Sequence, residues 1–335
     1  MIDFRYHLVS IIAVFLALAV GLALGATALS GPAQHLLQGE YSAVSHRNNT
    51  LIKENTQLGW QVKTDQSLLQ VGSQRLLGEV LPGENVVLIV APGANNAVTN
   101  GVSAALHQAG ATVTGQVQLT DQFMQPTGSN ESQLQNLAQS LATKASVTLP
   151  TQFSNPAVAG QQDAAQVIAA SILDSSGVSL SSSASQDILN GFVQAGFISK
   201  MTAPAPAQLA VLVTPQEPPP PPGSGNSGEV LAAVAQELKA AGAGTVMAGD
   251  VSSIGSGSAI DVEDNVSSAD QVSTVDNADT EGGQITLVWA LRAALEGQGP
   301  GQYGIANQAV PSPAPSPSGS PSPSPSSSPR PGGHG

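Results

Sequence analysis

The chain has 335 residues, a net charge of −13, no cysteine and only 3 % aromatic residues. This acidic balance excludes a nucleic-acid partner, which needs clustered Lys and Arg, and the absence of cysteine excludes disulfides and thiolate metal sites. Charge is uneven: between Leu76 and Ala309, 19 acids face only Lys144, Lys200, Lys239 and Arg292, whereas residues 30–75 hold four bases and three acids. Any core must be built from Ala, Val and Leu, and length allows one or two domains plus accessory segments.

From Leu8 to Leu29 there are 22 residues without a charge. At about 1.5 Å per residue they span roughly 33 Å, enough to cross a bilayer behind a cytoplasmic lead of residues 1–7. Ala13, Ala17, Gly21 and Gly25 recur every four residues and form a face along which a second helix backbone can approach closely. A second reading is a cleaved secretory signal with Ala26-Thr27-Ala28 as its small-residue cleavage site, although the apolar core of such signals is only about 7 to 15 residues. Arg5 precedes the run and no Lys or Arg follows until Arg47. The positive-inside rule therefore predicts a single pass, with the amino terminus cytoplasmic and the bulk extracytoplasmic.

Gly31-Pro32 predicts a break, after which residues 33–78 read as a stalk. Stepping alternately by four and three gives Leu37, Tyr41, Val44, Asn48, Leu51, Asn55, Leu58, Val62, Asp65, Leu69, Gly72 and Leu76, a heptad pattern whose apolar core is Leu37, Val44, Leu51, Leu58, Val62 and Leu69. One reading is a single amphipathic helix docked on its own domain. The other is a coiled coil in a parallel homodimer or higher homo-oligomer, with Asn48 and Asn55 setting register. The small-residue face just before it favours pairing.

Residues 84–305 change character. Asn85–Ala91 is a short apolar run ending in Pro92-Gly93 and predicts a buried strand. Asn96–Ala109 has helical spacing and ends at Gly110; Ala111–Val117 is a second strand, completing a βαβ unit. Helices are predicted at Glu131–Lys144, Gln161–Ser171 and Ala184–Ala195, with no convincing strand between 121 and 205. Strand Gln208–Val213 follows, then a Pro/Gly-rich loop at 215–228, helix Gly228–Ala241, strands Thr245–Ala248 and Val272–Val275, and helix Glu281–Glu296. This order predicts a doubly wound, mostly parallel α/β domain. Residues 306–335 are dominated by Pro, Ser, Gly and Ala and read as a disordered tail.

Chemical motifs are few. Gly223-Ser-Gly225-Asn-Ser-Gly228 matches the dinucleotide fingerprint formally, but a proline run separates it from its strand. The five histidines are scattered, and no nucleophile–base constellation stands out, so an enzyme is not expected. An acidic series, Asp250, Asp261, Glu263, Asp264, Asp270, Asp276, Asp279 and Glu281, runs without an intervening base. If Ala248 and Val275 end parallel strands, Asp250 and Asp276 share the carboxyl edge where open α/β sheets place ligands. With Asp279 they are candidate oxygen ligands for a hard cation. The alternative is a solvated acidic loop in which Asp279 or Thr280 caps the last helix.

Met1-Ile-Asp-Phe-Arg-Tyr-His-Leu-Val-Ser10, Val90-Ala-Pro-Gly93, His107-Gln-Ala-Gly-Ala111, Ser273-Thr-Val-Asp-Asn-Ala-Asp279 and Gln302-Tyr-Gly304 together give a specific likeness. Over residues 1 to about 305 the chain resembles the MctB family of actinobacterial envelope proteins. The resemblance implies a role in copper transport or homeostasis, with copper as the associated metal, and a channel of the outer membrane. Three functions follow as expectations. The first is a membrane-anchored copper-transport component acting through an oligomer or an envelope protein partner; the second is a scaffold without direct copper binding; the third is a hard-cation-dependent enzyme at the acidic edge.

Overall fold

The computed structural model describes residues 4–149, 155–174, 180–202, 205–216, 227–267, 271–306, 309–310 and 312–313. The chain divides into two compact units, Met1–Asp65 and Gln66–Gly335. The run 218–222 of prolines, the formal dinucleotide motif up to Asn226 and the tail beyond Pro313 lie outside the described residues.

The first unit is a single helical stretch. Helix α1, Phe4–Leu77, continues through Gly31 and Pro32 instead of stopping there. Proline in a helix interior removes one backbone hydrogen bond and costs about 3 kcal/mol. Within it, Tyr6–Gly25 is long and apolar enough to cross a membrane, with a mean hydropathy of 2.7. Its large side chains, such as Leu16 and Leu22, are exposed, and nothing lies near a Cβ built on Gly21 or Gly25. Farther along, Val44, Leu51, Leu58 and Val62 are each more than half exposed. The side chain of Leu37 lies outside the described residues.

The second unit is organised by a seven-stranded sheet. Its strands are β1 Asn85–Val90, β2 Thr112–Leu119, β3 Ile198–Thr202, β4 Leu209–Val213, β5 Gly244–Ala248, β6 Ser273–Val275 and β7 Gln302–Tyr303. Their order from left to right is β3-β2-β1-β4-β5-β6-β7, parallel except for the edge strand β3. Alternation places Val87, Ile89, Ala210, Leu212 and Met247 on one face and Val86, Leu88, Val90, Val211, Val213 and Val246 on the other. Both faces are apolar because both are covered, which is why β1 and β4 read as unbroken hydrophobic runs.

Face A is covered by helices α4 (Gly128–Ala145), α5 (Ala159–Ile172), α6 (Ser182–Gln194), α7 (Ser227–Ala241) and the short α8 (Ala259–Asp264), together with the α3 turn (Asp121–Met124). Face B is covered by the last turn of α1 through Leu77, by Val80 and Leu81, and by α2 (Asn96–Gln108) and α9 (Glu281–Leu295). Helix α2 ends where Gly110, at φ 84°, turns the chain through the left-handed region and Ala111 N–H donates back to the Leu106 carbonyl at 3.0 Å.

Besides the unbroken α1, the short helices α3 and α8 and the strands β3 and β7 depart from the sequence reading. Strand β3 lies where no strand was expected: it is an exposed antiparallel edge carrying Ser199 and Lys200, with no apolar alternation to betray it. Strand β7 and helix α8 are too short for periodicity to register.

Crossover geometry carries a further departure. The connection β1–α2–β2 runs leftward over face B and β4–α7–β5 runs rightward over face A, so the two share one hand. In contrast, β6–α9–β7 runs rightward over face B and has the opposite hand. Parallel crossovers almost always share a hand. Because α9 lies on face B, face A beside β6 and β7 is left with α8 as its flanking helix.

Candidate functional site

In open α/β sheets the usual ligand crevice is the switch point, here between the carboxyl ends of β1 and β4. It is closed by the chain itself. Ala91 N–H donates to Val213 O at 3.0 Å, Gln216 N–H donates to Gly93 O at 3.0 Å, and Ala94 bridges Pro215. Asn95 spends its side-chain oxygen capping α2 through Ala97 N–H, at 2.9 Å, so the helix terminus is occupied as well.

The carboxyl ends of β5 and β6 do bring Asp250 and Asp276 to one edge, both at most 4 % exposed. Each is held by its own chain. Asp250 caps a 3₁₀ turn, accepting Ser252 N–H at 2.9 Å and the Ser252 hydroxyl, while its other oxygen accepts Asn95 Nδ2 at 3.2 Å. Asp276 accepts Ile305 N–H at 2.8 and 3.1 Å and Ala306 N–H at 2.7 Å, so it ties the turn after β6 to the turn after β7. Asp279 stands at the exposed rim, and its carboxyl is raised by desolvation and then by the charges of Asp250 and Asp276, against a hydrogen bond from its own N–H. Thr280, not Asp279, caps α9, accepting Gly283 N–H at 3.0 Å. Among the described residues no three His, Asp or Glu side chains form a metal-holding group. Asp250 and Asp276 are drawn inward by hydrogen-bond donors of their own chain and clamp the turns there, while Asp279 faces solvent.

The open space lies next door, on face A, where the reversed crossover leaves β7 uncovered. A cavity of about 330 Å³ is lined by Ile260, Asp261 and Asp264 of α8, Gln302 of β7, and Ile305 and Ala306. Gln302 faces it while Tyr303, the next residue, is buried on face B, as strand alternation requires. Asp264 accepts the Thr274 hydroxyl at 2.7 Å, and its carbonyl accepts Gln271 Nε2 at 3.0 Å and Gln302 Nε2 at 2.9 Å. These bonds fasten α8 to β6 and β7. Burial pushes the Asp264 carboxyl up to about 6, with Asp276 and Asp261 adding to the rise and Thr274 opposing it.

Behind this wall Glu263 is fully buried and accepts Val272 N–H at 2.7 Å. Burial pushes it up to about 7, with the Asp264 charge in the same direction; the Val272 N–H, the Gln236 side chain and the Lys239 ammonium pull it back. Lys239 Nζ itself donates to Gln271 O at 2.8 Å. Two carboxyls that change charge near neutrality can bind and release protons. Glu263 and Asp264 stand in the acidic series of the sequence, but their role depends on α8, six residues of which three are acids, where no periodicity marks a buried face.

A family model described as "Copper transport outer membrane protein, MctB" matches residues 1–313. The chain is 28 % identical to the copper transporter MctB of Mycobacterium tuberculosis over 315 residues, and likewise to that of Mycobacterium bovis, covering 92 % of this chain and 98 % of each relative. It is 30 % identical to the copper transporter MctB of Mycobacterium leprae over 326 residues, with the same coverage.

Proposed function

The chain belongs to the MctB family, and from that premise we propose that it is a membrane-anchored envelope component of copper transport, assembled through its stalk as a parallel homodimer. The observation that carries this reading is the exposed apolar heptad face of α1. Val44, Leu51, Leu58 and Val62 lie open on a helix that buries none of them within the chain, and apolar residues at such spacing are the seam of a coiled coil. Preceding them, the apolar segment with Ala13, Ala17, Gly21 and Gly25 on one face supports anchoring and close helix pairing in a bilayer. Arg5 before the segment supports a cytoplasmic amino terminus.

Donor chemistry supports passage of copper through an assembly or partner rather than residence in the head. Copper(I) prefers Cys and Met and copper(II) imidazole. The chain has no Cys, and Met124 and Met247 are buried in the core. An open sheet covered on both faces provides no lumen, unlike a closed antiparallel outer-membrane barrel.

The absence of native cysteine makes the assembly directly testable. Single cysteines replacing Val44, Leu51 or Leu58 are expected to form disulfide-linked dimers on mild oxidation in membranes, because paired core positions bring Cα atoms within the 4.4–6.8 Å a disulfide needs. Cysteines at Arg47 or Glu54 should cross-link at least tenfold less. Equal cross-linking at all five positions would sink the coiled coil. A strain lacking the protein should accumulate copper and be rescued by the wild-type chain; normal copper handling alongside intact dimers would favour the scaffold.

A further inference from the structure

A second cavity, of about 440 Å³, lies on the opposite side of the head from the acidic one, between the turn after α1 and the carboxyl-terminal half of α9. Its lining includes Trp289, Gln298 and Pro313, together with Arg75 and Arg292 and the carboxylates of Glu79 and Glu296. Trp289 is half-buried, packed against the face B core and presenting the rest of its ring to the cavity. Arg292 is steadied by Glu296 Oε1 at 2.7 Å and by the Val80 carbonyl at 3.4 Å.

Pro313 is no chance neighbour. Three residues earlier, Val310 is pinned to the edge of the sheet, its N–H donating to Gln302 O at 2.9 Å and its carbonyl accepting Gly304 N–H at 3.0 Å. The chain is thus delivered to the cavity, and 22 residues follow, beginning Ala314-Pro315-Ser316-Pro317.

We propose that this cavity is a docking groove for the chain's own proline-rich tail, with residues 314–317 seated against Trp289 and between Arg75 and Arg292. Chemistry and placement agree. A segment with proline at every second position favours the polyproline conformation, which makes no internal hydrogen bonds and presents its carbonyls outward. Such segments dock in grooves lined by aromatic rings, losing little conformational entropy. Here an indole supplies an apolar wall, while two guanidinium groups and an amide, standing beside the carboxylates of Glu79 and Glu296, supply donors for carbonyls that have no N–H partner of their own. Four residues in this conformation extend about 12 Å, and a covalent tether gives them an effective concentration on the order of millimolar, so weak intrinsic affinity suffices.

Quenching of Trp289 fluorescence by acrylamide tests this directly. The chain has two tryptophans, so Trp60→Phe leaves Trp289 as the only reporter in the full-length protein in detergent. Ending the chain at Pro313 should raise the quenching constant at least twofold. Millimolar synthetic peptide 314–329 should restore protection, and the same peptide with every proline replaced by alanine should not. Unchanged quenching on truncation, or equal rescue by the alanine peptide, would overturn the proposal. Protection in the full-length protein that falls on dilution would also overturn it, by assigning the groove to the tail of a second copy.

Discussion

Replacing Asp276 with alanine is expected to cost the α/β unit about 3–5 kcal/mol, read as a fall of roughly 10 °C in Tm. The carboxylate is 2 % exposed and accepts Ile305 and Ala306 N–H groups. Hydrogen bonds to a charged acceptor contribute about 1.5–3 kcal/mol each, and their loss leaves two backbone donors without a partner. Gly304, at φ 131°, lies so close to the carboxylate that an added Cβ would overlap it, so the turn is shaped around this one side chain. Asp276→Asn, which retains one acceptor oxygen, should lose about half as much. A Tm within 2 °C of wild type for the alanine variant, with copper handling abolished, would instead restore Asp276 as a chemical residue. Loss of function alone does not separate the two.

Glu263→Gln carries the second large effect, and its sign is opposite to that of a salt-bridged carboxylate. The folded-state value is raised from the ordinary 4.5 to about 7, so the native chain holds this proton more tightly than the unfolded chain does. That contribution to stability is fully present below pH 4.5 and is lost as pH rises through 7. The wild-type unit should therefore be more stable at pH 5 than at pH 8. Glutamine keeps an acceptor for Val272 N–H without a charge to bury, so Glu263→Gln should gain on the order of 2–3 kcal/mol at pH 8 and little at pH 5. Asp264, raised to about 6 for the same leading reason, lengthens the window downward; Asp264→Asn should flatten the lower part of the same curve. Urea unfolding at the two pH values settles this, and a wild-type protein more stable at pH 8 would remove burial of Glu263 as the governing term.

Most of the α/β architecture was legible because its strands are continuous apolar runs bounded by turn residues. Asn85–Val90 and Leu209–Val213 appear as expected, and so do helices α2, α4, α5, α6, α7 and α9, each within a few residues. The proline at position 32 misled, since local helix-breaking tendency lost to the continuity of the turns on either side. Strand β3 was hidden because an edge strand facing solvent needs no alternating pattern. The site was half legible. Chain order alone brought Asp250 and Asp276 to one edge, whereas what those carboxylates do there depends on Asn95, Ile305 and Ala306, residues about 30 or more positions away in sequence. No spacing rule links them. Likewise, the cavity beside α8 exists because α9 crosses the sheet with an uncommon hand, and handedness leaves no trace in composition or periodicity.

The placement of α9 also sets an order of events during synthesis. Face A can be assembled largely from consecutive helices, but face B closes only when Leu77 and Leu81 meet Leu287 and Leu291, about 210 residues later. Until then Val246 and Val275 lack the cover of α9, although α2 already stands over the β1 and β2 side of the face. Such distant contacts repay their loop-closure entropy late and fold slowly. A chain that emerges amino-terminus first therefore keeps the β5 and β6 side of face B open until α9 has been made, and that interval is when it is most exposed to aggregation.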